Sequence, residues 1–150
     1  MLSEIFKKYA RHAEFVGDEL VDVNQPGMFG SQMLHLAAFK NDCADISVLL
    51  DAGANLNACG DLNLSALHYA VLGDSTDAMK LLLQKGIDKT LENEFGETAF
   101  EMARVLGNTD VEELINELNL SPLSSFDRNE LAKSRWIDFR SIQEGNFWAE

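Results

Sequence analysis

The stretch GSQMLHLAAF, Gly30 to Phe39, sets a histidine between two leucines and follows it with a pair of alanines. Whether that histidine is chemistry or architecture is decided elsewhere in the chain. LSALHYAVLG from Leu64 and GETAFEMARV from Gly96 fall into the same register, so that His35, His68 and Glu101 recur every 33 residues. Neighbouring columns keep step. Leu34, Leu67 and Phe100 come just before, and Ala37, Ala70 and Ala103 two residues after. Gly53 and Gly86 are also 33 apart, as are the pairs Leu49-Leu50 and Leu82-Leu83, with Leu114-Ile115 one residue out of step. Self-similarity at a fixed period of roughly 20 to 50 residues is the mark of a stacked-repeat protein.

At 150 residues with 46% hydrophobic content, the chain can bury a core and is not expected to be disordered. No apolar run approaches the ~20 residues that span a bilayer, and charges interrupt the N-terminal segment from Glu4 onward. These features predict an unexported, cytoplasmic protein. Cys43 and Cys59 are too few for a disulfide scaffold and lack metal-ligand spacing. Charge is more informative because it is uneven. Residues 12–127 hold 5 Lys and Arg against 20 Asp and Glu, whereas the first 11 residues are net basic and the last 23 balanced, leaving −13 overall. Such a body repels phosphate and anionic lipid, which argues against nucleic-acid and membrane partners and favours a basic protein.

The N-terminal segment has apolar residues at Leu2, Ile5, Phe6, Tyr9, Ala13 and Val16, the spacing of one helix face, with Ser3 as the expected N-cap. Asp22, Val23 and Asn24 match Asn55, Leu56 and Asn57 one period later, so residues 1–26 read as a capping helix plus part of a repeat. Repeats follow at 27–59, 60–92 and 93–119. Each predicts a short helix at the Leu-His column, a polar break, a second helix and a stop. The breaks are Asn41-Asp42, Gly73-Asp74-Ser75 and Gly107-Asn108-Thr109, where such residues are expected to cap the second helix. Gly53 and Gly86 are placed to take positive φ at the stop, and Asn119 takes that column in the third repeat. Residues 120–150 break the period. They carry Phe126, Trp136, Phe139, Phe147 and Trp148, predict a short helix over 127–135, and are expected to fold back as a C-terminal cap.

These three copies resemble the ankyrin-repeat family, with the likeness covering about residues 21 to 118. The family pattern departs here in specific columns. Met33, Ala66 and Ala99 stand where proline is usual, and threonine survives only as Thr98, with Gln32 and Ser65 in its place elsewhere. The resemblance implies an all-α solenoid of helix-turn-helix units joined by short hairpin loops. It also implies that His35 and His68 are structural, bonding backbone of the adjoining turn. His12 is expected on the surface, Cys43 facing inward and Cys59 nearer a loop.

Ankyrin repeats, as the resemblance has it, are non-enzymatic and bind proteins through the hairpin tips and the concave face of the first helices. Mapped here, the tips are Met28 and Phe29, Asp61 and Leu62, Glu94 and Phe95. The concave row is Phe39 and Lys40, Leu72, then Val105 and Leu106. An exposed apolar ladder rimmed by Asp42, Asp61, Asp74, Glu94 and Glu97 would suit a protein partner. No Gly-rich phosphate loop, Cys-x-x-Cys pair or His-x-x-x-His helix occurs, and no acid or nucleophile recurs beside the histidines. Hence no catalytic residue, metal, cofactor or small-molecule substrate is expected. The pattern resembles compact bacterial ankyrin proteins, some of them immunity proteins that neutralise a toxin, and a nuclease would offer the basic surface. The alternative is an adaptor that joins two proteins, its aromatic tail making the second contact.

Overall fold

The computed structural model describes residues 1–17, 19–118 and 130–145. Asn119, the turn after it, Phe126, Phe147 and Trp148 lie outside the described residues. Eight α-helices form among those described: α1 (Leu2–Tyr9), α2 (Met33–Phe39), α3 (Cys43–Asp51), α4 (Ala66–Leu72), α5 (Thr76–Gln84), α6 (Ala99–Leu106), α7 (Thr109–Glu117) and α8 (Glu130–Gly145). They stack in two rows. The first helices of the repeats pack α2 on α4 on α6, and α8 extends that row, while α1, α3, α5 and α7 form the second row. Small side chains in the repeat columns allow the first row to close up: Ala37, Ala38, Ala70 and Ala103 are fully buried. Leu34, Leu67, Leu49, Leu82 and Leu114 fill the space between the rows.

The histidine column ties a helix start to the loop backbone that leads into or closes the next hairpin. His35 Nδ1 accepts the Gln32 N–H at 2.9 Å, which leaves the ring proton on Nε2 to donate to the Ala58 carbonyl at 2.9 Å. In the second repeat His68 Nδ1 meets the Ser65 N–H at 3.2 Å and Ser65 Oγ at 2.8 Å, and Nε2 donates to the Glu97 carbonyl at 2.9 Å. Glu101 keeps only the first task. Its Oε2 accepts the Thr98 N–H at 2.9 Å while Thr98 Oγ1 accepts the Glu101 N–H at 3.3 Å, a reciprocal capping box. A carboxylate suffices there because no further hairpin follows among the described residues. Burial pushes both imidazoles down to about 4, so they are neutral at physiological pH.

The polar breaks behave differently from the expectation drawn from sequence. Asp42 does cap its helix, accepting the Asp45 N–H at 3.0 Å. Ser75 and Asn108 occupy N-cap positions, but their side chains reach back to the preceding repeat. Ser75 Oγ donates to the Phe39 carbonyl at 2.8 Å, and Asn108 Nδ2 to the Val71 carbonyl at 3.0 Å. The Phe39 carbonyl ends α2, where the helix supplies no donor, and the Val71 carbonyl, which also accepts the Asp74 N–H at 3.1 Å, gains a second donor, so both bonds add to the stacking across the repeat boundary.

Both ends also differ in detail. α1 begins with Met1 at the N-cap, leaves Ser3 inside the helix, and stops at Tyr9, short of Ala13 and Val16. Turn bonds from His12 N–H to Tyr9 and from Phe15 N–H to His12 bend the chain and drive Phe15 into the core, leaving Val16 exposed. His12, expected at the surface, is buried by the same turn, and burial with the nearby Lys40 charge pushes it down to about 4. Lys8 Nζ, 2.6 Å from both Asp42 and Asp45, pins α1 to α3, as does the Tyr9 hydroxyl, 2.9 Å from Asp45.

At the other end, the helix expected over 127–135 instead runs from Glu130 to Gly145 and lies along α6. Trp136 is fully buried and donates from Nε1 to Glu97 Oε1 at 2.9 Å. One turn on, Arg140 Nε donates to the Leu72 carbonyl at 2.6 Å, and its NH2 lies 3.4 Å from Asn108 Oδ1. The helix is thus fixed at both ends of α6.

Trp136→Ala removes the largest fully buried side chain among the described residues and leaves Glu97 with one donor fewer. It should cost about 3–5 kcal/mol, read as a lower denaturant midpoint, and a loss below about 1 kcal/mol would mean that α8 is not integral to the fold. The histidines give a second expectation. Because their folded values lie below the unfolded 6.5, the stability they lend is complete above about pH 6.5 and is lost as pH falls toward 4. At pH 5 that is roughly 2 kcal/mol for each ring. Burial raises Glu14 and Glu97, which oppose this trend, so the ring protons are the cleaner reporter. The His35 and His68 NMR signals should stay fixed between pH 7.5 and 5, whereas a midpoint near 6.5 would contradict the neutral brace.

Candidate functional site

Three hairpins line one edge of the stack, built from the same two backbone bonds. The amides of Gly27, Gly60 and Asn93 donate to the carbonyls of Ser31, Leu64 and Glu97 at 2.8, 2.9 and 2.9 Å. The amides of Gly30, Asn63 and Gly96 donate back to Gly27, Gly60 and Asn93 at 3.1, 3.1 and 3.0 Å. Each of these last donors has positive φ, which glycine and asparagine tolerate. The period of 33 therefore fixes the tips as well as the helices. Gly53 and Gly86 also take positive φ, at 99° and 87°, after the second helices.

The first and third hairpins share a further device. Asn93 Oδ1 accepts the amides of Phe95 and Glu97 at 2.9 and 3.1 Å. Position 27 is glycine and has no side chain to offer, so Glu14 Oε1 enters from the N-terminal segment and accepts the matching amides of Phe29 and Ser31 at 2.8 and 3.1 Å. A Cβ at position 27 would collide with that glutamate. Glu14 lies ahead of the repeats, so no column marks it in the sequence. Burial raises its carboxyl above the usual range, against the lowering effect of the two amides.

At the tips, Met28 and Phe29 are 67% and 60% exposed and Phe95 is 44% exposed. Leu62 is half-buried with φ 53°, and its carbonyl accepts the Glu94 N–H at 3.0 Å, which draws the middle tip against the third. Asp61 is half-buried and Glu94 exposed, so the edge alternates apolar and acidic groups.

The concave ladder does not stand open as the sequence suggests. Leu72, Val105 and Leu106 are 0%, 3% and 7% exposed, because α8 lies on α6 and Arg140 reaches across to the end of α4. Phe39 is half-buried against the core. Lys40 is exposed, but it joins Glu4, Lys7, Lys8 and Arg11 around an open cleft of about 540 Å³ beside α1. Two expected rim carboxylates are also drawn inward: Glu97 is buried beneath Trp136, and Asp42 is held by Lys8. Asp74 stays exposed, 3.7 Å from Arg140. Cys43 and Cys59 are both half-buried, and burial raises both thiols. Sequence reasoning missed Glu14, Arg135 and Arg140, none of which lies in a repeat.

Among the described residues no group of three or more His, Cys, Asp or Glu is arranged to hold a metal ion, and no helix is long and apolar enough to cross a membrane. Residues 4–93 match the family model of ankyrin repeats in three copies. The chain is 34% identical over 98 residues to the human transient receptor potential cation channel subfamily A member 1, covering 65% of this chain and 9% of that protein. It is 34% identical over 100 residues to the chicken (Gallus gallus) nuclear factor NF-kappa-B p105 subunit, covering 62% and 10%. An ankyrin repeat protein of Rickettsia bellii (strain RML369-C) is 32% identical over 102 residues, covering 67% and 56%. The chain thus spans a small part of the first two and about half of the third. Three helical repeats of matching register, confirmed by these likenesses, mean that the chain belongs to the ankyrin-repeat family, whose repeats are generally non-enzymatic modules for protein–protein interaction.

Proposed function

We propose that this chain binds a basic protein along its hairpin edge and neutralises it by occupying its surface, in the manner of an immunity protein against a cytoplasmic toxin such as a nuclease. The observation that carries the reading is the edge itself. Exposed Met28, Phe29 and Phe95 alternate with Asp61 and Glu94 on a body of net charge −13. The carboxylates steer a basic partner into encounter, and the aromatic and sulfur-bearing side chains hold it once water is expelled. The acidic field repels nucleic acid, so competition from the partner's own substrate would be met by charge as well as by fit.

A second reading, an adaptor joining two proteins, draws support from α8. Ile137 and Ile142 are exposed there and offer a separate apolar contact. Trp136, buried within the fold, is not available for that role.

The test is a titration of the chain against a basic candidate partner, beginning with any basic protein that a neighbouring gene encodes. Phe29→Asp should leave the melting temperature unchanged, weaken the complex at least about tenfold and abolish protection of cells from that protein. Rising ionic strength should slow association. Unchanged affinity in the variant together with a salt-independent rate would remove the edge from the account. Loss of a second partner in Ile142→Asp, with the first retained, would instead favour the adaptor.

A further inference from the structure

The third hairpin is occupied by the protein itself. The Arg135 guanidinium lies 3.7 Å from the centre of the Phe95 ring, and its NH1 is 3.6 Å from Glu97 Oε1. Trp136 meets the same ring edge-on at 5.6 Å. A planar, weakly hydrated cation over an aromatic face with a carboxylate at its edge is an arrangement that guanidinium fills and ammonium fills less well.

The first hairpin presents the corresponding platform. Phe29 stands two periods before Phe95, and a single side-chain oxygen fastens the amides at 29 and 31 as another fastens those at 95 and 97. Two acidic residues lie at this turn. Glu14 is bonded beneath the turn, and the Asp61 backbone nitrogen would lie 3.9 Å from a Cβ placed at Gly30. The Asp61 charge adds to burial in holding the Glu14 carboxyl above its usual range, so an arriving cation would relieve that strain. The middle tip differs because Leu62 has no aromatic face. Among the described residues no cation stands over Phe29, which is more exposed than Phe95.

We propose that Phe29, with Glu14 and Asp61 at its turn, is the seat for an arginine side chain of the partner protein, which Arg135 imitates on Phe95. This rests on the hairpin edge being the binding surface, and it specifies the partner's contact as a guanidinium rather than positive charge in general. The side chain stacks on the exposed ring, and its N–H groups face the carboxylates.

The test uses the full chain at low ionic strength, titrated with a tetra-arginine peptide and with its tetra-lysine counterpart, followed by backbone amide shifts. The arginine peptide should bind about fivefold tighter, with shifts centred on residues 28–31 and on Asp61. Phe29→Leu, which keeps an apolar side chain but loses the π face, should erase the preference for arginine, and Asp61→Asn should weaken both peptides. In Arg135→Gln, which opens the Phe95 ring, shifts should spread to residues 94–97 as a second peptide is taken up. Equal affinity for the two peptides, with sensitivity to Asp61→Asn alone, would overturn the arginine seat while leaving a charge-steered edge intact. Failure of both peptides to bind, or shifts centred on the second-row helices, would overturn it as well.

Discussion

A neutral imidazole can accept at one nitrogen and donate at the other, and the stack depends on both being used at once. In His35 and His68 the accepting nitrogen closes the N-terminus of the ring's own helix, and the donating nitrogen reaches loop backbone, that of Ala58 just before the second hairpin and that of Glu97 in the third. The ring does so from a buried position, which keeps it uncharged and its two roles distinct. The second and third hairpins are thereby held at a fixed height above the helices, and Glu14 fastens the first. The binding edge proposed for this chain rests on that bracing within. A charged ring would lose its acceptor, and the repeat boundary would lose the bond that sets the loop.

What the sequence disclosed follows from what a period can carry. Columns that recur every 33 residues report contacts that recur, so the histidines, the alanines of the first row and the turn positions of the three tips were legible. Features that occur once were not. Glu14 serves only the hairpin that begins with Gly27, and Arg140 serves only the last turns, so neither had a counterpart to compare with. The apolar spacing of the first segment continued past Tyr9, yet a turn at His12 sent Phe15 inward and Val16 outward. Leu72 and Val105 share a column with Phe39, but a column gives a position within a repeat and not the neighbour that covers it. Here the neighbour is α8, drawn from a segment with no period, and it closes the ladder that the column alone would have left open.

The two ends of the array are finished by different physics. α1 covers the second row with ion pairs from Lys8 and a hydroxyl bond from Tyr9, on a half-exposed surface where such charges contribute modestly. α8 extends the first row with a buried indole bonded to a buried carboxylate, a pairing that low dielectric makes stronger and costlier to break. The same helix lends Arg135 to Phe95 and so leaves the first hairpin as the more open end of the edge. Burial of the concave ladder and exposure of Phe29 thus share one cause: the extra helix sits at the C-terminal end of the row.

The most direct measurement of the central claim is backbone hydrogen exchange of the full chain, alone and in complex with a basic protein of the kind proposed as its partner. Exchange should slow at residues 27–31, 60–64 and 93–97, most strongly at the first hairpin, with the second-row helices unchanged. Protection confined to α3, α5 and α7, with the hairpin amides exchanging as in the free chain, would contradict it.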